Sequence, residues 1–300
     1  TALNAECPNG YTFDGEKSLP YLPDLARLIV VEDMAALAAQ GISREEMMRV
    51  LAPTGVLCIK DGGKWVSSTK PRPKEMDEWT HPHHGADGNL VSADKALSFP
   101  ISLRWIDGVP VDRGGFGDCA SCRALVLAGG RCFTVNTDEL GSNGRALLTA
   151  RDAYSGFPLW KIDCQGSYSK QQLDWRNVWP LAANDRRVYA ARTNDVIIVD
   201  AATGKIEATC PTKYAPHRLV LTGGCVVAAC WEKKDFSNWK DGFEGDAIRA
   251  VWWPAGEGSV EAFDAETGKP KWTLPLTALT VVASEDTVYL LTHKGNPPTE

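Results

Sequence analysis

The stretch AFDAETGKPKW, residues 262–272, closes one apolar segment, makes a tight turn and opens another segment. The side chain of Asp264 can accept backbone N–H groups further along such a turn, and Gly268 supplies the positive φ that the turn requires. Trp272 follows at a short distance and offers a large apolar surface for packing. The stretch therefore predicts a β-hairpin with an aromatic anchor on its second strand.

The same pattern occurs at two earlier places in the chain. ARDAYSGFPLW (150–160) keeps the Ala, Asp, Gly and Trp at the same offsets. IVDAATGKIEA (198–208) keeps the Asp, Thr, Gly and Lys but has Ala208 where the tryptophan would stand. Recurrence of one unit at intervals of several tens of residues indicates a repeat architecture. The residues expected to form the turns or to dock between repeats are Asp152, Gly156, Trp160, Asp200, Gly204, Asp264, Gly268 and Trp272.

A second marker alternates with the first and reads as an apolar segment, a Gly, Asn or Asp turn, and another apolar segment. It occurs at LVLAGGRCFTVN (125–136), LAANDRRVYAAR (181–192), LVLTGGCVVAAC (219–230) and VVASEDTVYLLT (281–292). Each instance predicts a hairpin. Short, evenly spaced strands with periodic Gly and aromatic positions are typical of the blades of a β-propeller. We therefore expect a mainly β fold, with an incomplete propeller of about three and a half blades at 100–300.

The A-x-D-x-x-T-G-K-x-x-W pattern resembles the tryptophan-docking motif of the PQQ-binding-like, or quinoprotein-type, β-propeller family. The resemblance covers about residues 100–300 and implies an extracytoplasmic, periplasmic protein. The family includes dehydrogenases that use pyrroloquinoline quinone (PQQ) and Ca²⁺, and also scaffolds that bind partner proteins. Its dehydrogenases stack the quinone on a disulfide between adjacent cysteines, whereas this chain has no Cys-Cys dipeptide. We therefore expect a binding or scaffold module, with a PQQ- and Ca²⁺-dependent oxidoreductase as the alternative.

The first part of the chain has a different pattern. LIVVED (28–33) predicts a buried strand, and Ser43 with the glutamate three residues later forms a capping box that begins a helix. Pro53 and Gly55 should end this helix before the strand GVLCIK (55–60). Strand, helix and strand in this order indicate an α/β unit.

This α/β pattern also resembles a known family. EEMMRVLAPTGVLCI is similar to the late helix–turn–strand of class I methyltransferases, although the glycine-rich loop that would hold S-adenosylmethionine is absent. Trp-Thr-His (79–81) at the head of a PQQ-like propeller resembles the fused methyltransferase-like and propeller proteins of planctomycete-type bacteria. We therefore predict a methyltransferase-like segment at 1–66, a linker with a His-rich loop at 67–99, and propeller blades at 100–300. An incomplete ring leaves strand edges open, so we expect either a larger parent chain or an arc whose edges the N-terminal segment covers.

Two short motifs carry candidate chemistry. Three imidazoles at His81, His83 and His84 could begin a Zn or Cu site, because neutral imidazole binds both ions. Their spacing fits no standard site, so a solvent-facing or hydrogen-bonded loop is the alternative. Cys119 and Cys122 form a CxxC motif without the following His of a haem site or a second pair for zinc. A disulfide, an inert pair and a redox pair all remain open.

The composition of the chain excludes some classes of partner, and one insertion offers a candidate binding surface. A net charge of −6 and a pI near 5.5 argue against a nucleic-acid-binding surface. The apolar runs are too short to span a membrane. The insertion at about 231–258 carries exposed-type aromatic residues that could stack on a carbohydrate, anchor a partner protein or pack on the blade rim. These residues are Trp231, Trp239, Trp252 and Trp253.

Overall fold

The structure is a computed structural model that describes residues 18–97, 104–105, 122–137, 146–164, 180–232 and 257–292. The chain divides into two compact units, the first formed by 1–77 and 93–105, the second by 78–92 and 106–300. The segment at 67–99 thus contributes to both units. No helix within the described ranges has the length and apolar character needed to cross a membrane.

The first unit contains a small sheet and two short helices. Its elements are β1 (Ala26–Val31), α1 (Met34–Ala39), α2 (Arg44–Val50), β2 (Leu51–Asp61) and β3 (Lys64–Thr69). The sheet order is β1-β2-β3, with β2 parallel to β1 and antiparallel to β3. The parallel pair connected through helices is the strand–helix–strand arrangement that the sequence indicates. Its methyltransferase-like character stays a prediction.

Helix α2 begins as the sequence predicts and ends earlier. The hydroxyl of Ser43 accepts the backbone N–H of Glu46 at 3.2 Å. The Glu46 carboxylate does not return to the cap; it accepts hydrogen bonds from Arg49 at 2.6 Å and from the backbone of Leu19 at 2.7 Å. Leu51 already has extended backbone (φ −68°, ψ 129°), so the helix stops at Val50. Leu51 pairs with Ala26 of β1, so β2 begins before Pro53, where the sequence places the end of the helix.

Strand β1 differs from the fully buried strand that its apolar run predicts. The helices pack with one face of the sheet, where Val31, Met47 and Leu57 are buried. On the other face Leu28 is 58% exposed and Val30 is 43% exposed. A continuous apolar run therefore does not reveal that only one side of this strand is covered.

The second unit consists of three four-stranded antiparallel sheets and a two-stranded sheet, each following the chain order of its strands. The first sheet has β4 (Cys122–Ala128), β5 (Arg131–Thr137), β6 (Ala146–Asp152) and β7 (Pro158–Asp163). The second has β8 (Leu181–Ala183), β9 (Arg187–Ala191), β10 (Asp195–Asp200) and β11 (Ile206–Pro211). The third has β12 (Ala215–Thr222), β13 (Cys225–Trp231), β14 (Gly258–Asp264) and β15 (Pro270–Leu274). The last has β16 (Ala278–Ser284) and β17 (Thr287–Thr292).

These sheets are arranged as successive blades. The first strands β4, β8, β12 and β16 lie beside one another in that order. A separate apolar cluster fills each space between neighbouring sheets, with Phe133 in the first, Tyr189 in the second and Val227 in the third. The described part of this unit is therefore mainly β with the layout of a partial β-propeller, which confirms the predicted fold at this level.

The repeated turns share one set of hydrogen bonds. In the second sheet, an Asp200 carboxylate oxygen accepts the backbone N–H of Ala202 at 3.1 Å and the N–H and hydroxyl of Thr203 at 2.7 and 2.6 Å. Gly204 closes the turn at φ +74°, a conformation that side chains rarely adopt. Asp152 and Asp264 accept the corresponding bonds in the first and third sheets.

Trp160 joins the first sheet to the turn of the second. Its indole N–H donates to the backbone oxygen of Ala201 at 3.1 Å, and its ring lies over Gly204. A Cβ at Gly204 would come within 2.7 Å of the ring, so glycine is needed both for φ and for this close approach. At the equivalent place in the next pair of sheets, the smaller Ala208 meets Gly268.

Trp272 differs from the docked position expected for it. The side chain is 37% exposed. Trp160 lies against the turn that joins the last two strands of the next sheet, whereas the described part of the sheet after Trp272 is only the hairpin β16–β17. No turn of the repeated kind is therefore present among the described residues to receive Trp272.

Candidate functional site

Residues 78–88, which we call the central segment, contact the first strand of every described blade. Trp79 exchanges two backbone hydrogen bonds with Leu127 of β4, at 3.1 and 2.6 Å. The backbone oxygen of Thr80 accepts the N–H of Ala183 of β8 at 2.9 Å. Further along, Ala86 accepts the N–H of Ala283 of β16 at 2.7 Å.

The central segment contacts the third blade through the side chain of His81. The backbone N–H of Leu221, in β12, donates to Nε2 of His81 at 3.0 Å. An accepting Nε2 places the ring proton on Nδ1, which then donates to the hydroxyl of Thr80 at 2.8 Å. His81 is only 6% exposed, and desolvation lowers its pKa from 6.5 to about 4. His81 is therefore a neutral residue that joins the central segment to β12.

The other two histidines have different surroundings. His83 is exposed. His84 lies at φ +74°, and its ring meets that of Trp79 edge to face with centroids 5.2 Å apart. Across the described ranges, no three His, Cys, Asp or Glu side chains are grouped so that they could hold a metal ion. The geometry thus gives no support to a metal site at His81, His83 and His84.

An open pocket of about 90 Å³ lies between the central segment and the first strands of three blades. Its wall is largely aliphatic, and its polar side chains are few. The aliphatic wall residues are Leu181, Leu219, Val220, Val281 and Val282. The side chains with polar groups are His81, His83, His217, Arg218 and Thr280.

Arg218 is the cationic side chain of this pocket. It is exposed to the solvent of the open recess, yet the surrounding protein atoms desolvate its guanidinium and lower its pKa. Arginine nevertheless stays protonated at neutral pH. Its guanidinium donates to the backbone oxygen of His217 at 2.9 Å, and it forms no ion pair with any carboxylate of the described chain.

His217, the neighbour of Arg218 in sequence, also lines the pocket. Its ring stacks on Trp231 with centroids 3.9 Å apart and planes 6° from parallel. Trp231, a candidate ligand-stacking residue in the sequence, is therefore half-buried and already covered on one face. The other candidate tryptophans, Trp239, Trp252 and Trp253, lie outside the described residues, as do Cys119 and the side chain of Cys122.

Sequence reasoning did not identify Arg218 as a site residue. A signal was present, because Arg218 directly precedes the apolar run LVL (219–221) that begins a predicted hairpin. A charged side chain next to an apolar strand is a candidate for one of the few polar groups of an apolar pocket. The sequence does not show which strands lie opposite, and so it does not show the pocket.

Comparisons with known proteins give likenesses of structure only. No protein-family model and no curated protein matches the chain. The quinohemoprotein alcohol dehydrogenase ADHIIG from Pseudomonas putida HK5 is similar over 66% of this chain and 26% of its own, with 18% identity and a TM-score of 0.41. A europium-containing methanol dehydrogenase is similar over 67% and 32%, with 13% identity and a TM-score of 0.43. An acylaminoacyl peptidase of Pyrococcus horikoshii is similar over 58% and 28%, with 10% identity and a TM-score of 0.37.

The chain thus spans less than a third of the length of each of these proteins. Their names include both dehydrogenases and a peptidase. Likenesses at this identity and TM-score do not assign a function.

Proposed function

We propose that the second unit is a binding module of the propeller type, which holds a small ligand in the pocket beside the central segment. The observation that carries this proposal is the combination of an open aliphatic recess with Arg218, a guanidinium that no described carboxylate neutralises. Binding sites for small molecules are commonly concave and apolar, with a few polar groups that orient the ligand.

A pocket-blocking variant tests the proposal. Ligands that bind only the native state raise the melting temperature, so the full chain is melted with a panel of neutral, anionic and cationic small molecules. We expect at least one class to stabilise the wild type and to lose this effect in Thr280→Trp, which fills the pocket. Thr292→Trp, at an exposed position on the same sheet, is the matched control. Stabilisation that survives Thr280→Trp would place the ligand elsewhere.

A second candidate function is a quinoprotein oxidoreductase, and Arg218 is the observation that favours it, since PQQ carries carboxylates that a guanidinium could hold. The residues present do not fit the complete cofactor site. The sequence has no adjacent cysteine pair, and the described residues contain no group of three candidate ligands for Ca²⁺. No reaction step is derived through the quinone for this reason.

The purified chain given PQQ and Ca²⁺ distinguishes the two functions. We expect no Ca²⁺-dependent quinone binding and no dye-linked alcohol oxidation. Stoichiometric, Ca²⁺-dependent binding would replace the binding-module proposal with the oxidoreductase.

We also propose a periplasmic location and a carbohydrate or protein partner at the tryptophan-rich insertion (231–258). Both rest on the family resemblance and on the residue types of the insertion. Fractionation of the native host with periplasmic and cytoplasmic marker enzymes tests the location. Recovery of the protein with the cytoplasmic marker would exclude it.

A further inference from the structure

We propose that the pocket binds a small carboxylic acid in its ionised form, with the carboxylate on the guanidinium of Arg218 and the hydrocarbon part against the aliphatic wall. This inference rests on the proposed binding function and assigns the ligand a chemical class. Its three supports are the charge of Arg218, the presence of a single permanent cation in the pocket lining and the composition of the wall.

The first support is an uncompensated charge. Arg218 donates one hydrogen bond to a backbone oxygen and has no carboxylate partner in the described chain. The residue is exposed, so a ligand that enters the recess can reach it. The planar guanidinium matches the two oxygens of a carboxylate in a bidentate geometry. The pocket is therefore electrostatically suited to an anion, although the chain as a whole has a net charge of −6.

The second support separates a carboxylate from a phosphate. Both anions pair well with arginine. Phosphate carries more charge and more acceptor oxygens, and its sites supply several donors or a helix N-terminus. The one permanent cation among the residues that line this pocket is the guanidinium of Arg218, which the hydroxyl of Thr280 and the imidazoles of His83 and His217 accompany. The pocket is built from strands and the central segment rather than a helix end. One cation balances the single charge of a carboxylate.

The third support is the aliphatic wall of the pocket. The strands β8, β12 and β16 each contribute aliphatic side chains, among them Leu181, Val220 and Val281. Such a surface gains from covering a hydrocarbon chain, by about fourfold in affinity for each buried CH₂ group. The limited volume of about 90 Å³ means that this gain should stop after a few carbons. The affinities of a series of acids of increasing chain length therefore test how much the aliphatic wall contributes to binding.

The experiment is calorimetric titration of the full chain with acetate, propionate, butyrate and valerate, with butyramide and inorganic phosphate as comparison ligands. We expect affinity to rise about fourfold per carbon and then to level off. Butyramide, which keeps the chain but lacks the charge, should bind at least tenfold more weakly than butyrate. Phosphate binding tighter than that of every acid, or butyramide binding equal to that of butyrate, would overturn the proposal.

Variants of Arg218 test whether this residue binds the carboxylate. Arg218→Gln should weaken butyrate binding at least tenfold, and Arg218→Lys should recover part of the loss, because it restores the charge without the fork. Arg186→Gln is the control, since Arg186 has a 67% exposed side chain and does not line the pocket. Circular dichroism melts confirm that each variant is folded. Unchanged butyrate affinity in a folded Arg218→Gln would refute the assignment.

The two proposals fail in different ways. A neutral ligand that binds the wild type but not Thr280→Trp, with no binding of any carboxylate, would refute the ligand class and leave the binding function standing. If no ligand of any class depends on the pocket, both proposals are wrong.

Discussion

His81 and Arg218 are basic residues of the same pocket, but His81 is neutral whereas Arg218 is positively charged. His81 is buried, and its Nε2 accepts a backbone N–H, which requires the neutral ring. Arg218 is exposed and, as an arginine, keeps its proton. The imidazole therefore belongs to the framework of the pocket, and the guanidinium is the group that is available to a ligand.

The buried imidazole should make stability depend on pH. The folded protein holds the pKa of His81 at about 4, below its ordinary value of 6.5. The unfolded chain therefore binds the proton first, and the free energy of unfolding falls as pH drops from about 6.5 to about 4. The difference corresponds to about 3 kcal/mol. Urea unfolding of the full chain at several pH values between 4 and 7.5 measures this loss.

Two variants isolate the contribution of His81. His81→Gln retains a side-chain oxygen that can accept the Leu221 N–H but does not titrate, so the loss of stability over this pH range should shrink by about 3 kcal/mol. His83→Gln changes an exposed imidazole of the same segment and should leave the loss unchanged. An unaltered pH profile in His81→Gln would show that another group causes the loss.

Which of the three histidines is buried was not predictable from sequence. The spacing of His81, His83 and His84 allows either a metal site or a hydrogen-bonded loop. The contact that distinguishes His81 comes from Leu221, 140 residues further along the chain. No local pattern records a contact of this kind.

At the scale of the elements, the repeated turn is a local feature and was predicted well. The Asp, the Thr or Ser, and the Gly of each turn form hydrogen bonds within five residues, so the local sequence contains all the partners. The docking of the following tryptophan is not local, because it needs the next sheet. Trp160 has such a sheet beside it, whereas Trp272 remains 37% exposed.

These two tryptophans should therefore differ in their contribution to stability. Trp160→Ala removes a hydrogen bond to Ala201 and an aromatic ring packed on Gly204 and on the apolar cluster around Phe133. We expect a loss of about 3 kcal/mol, the lower end for large core truncations. Trp272→Ala removes a partly exposed side chain, and the expected loss is about 1 kcal/mol or less. Urea unfolding of both variants gives the comparison.

The matched positions make the result informative. Both residues stand at the same offset after an Asp-x-x-x-Gly turn, so strand propensity and turn chemistry are similar. Equal losses would mean that the tryptophan stabilises its own hairpin, and that packing on the next sheet contributes little.

At the scale of the whole molecule, sequence periodicity predicts the blades but not what joins them. Hairpin markers and turn motifs recur because each blade is built from the same kind of strands and turns. The central segment occurs once, and WTHPHHGADG (79–88) has the composition of an ordinary loop. Its role follows from hydrogen bonds to four different sheets. The pocket has the same origin, since its wall comes from three of them.

The central segment should couple the inner strands of the blades. His81→Ala removes the acceptor of the Leu221 N–H, and an unsatisfied buried donor costs about 1–3 kcal/mol. The amide of Leu221 should then exchange with deuterium about 10–100-fold faster, measured in the native full chain. If the segment is held as one piece, the amides of Ala183 and Ala283 should also lose protection, although their own acceptors, Thr80 and Ala86, are intact. His83→Ala serves as the control and should change none of them. Faster exchange at Leu221 alone would show that the blades bind the segment independently, and that it does not act as a common tie between them.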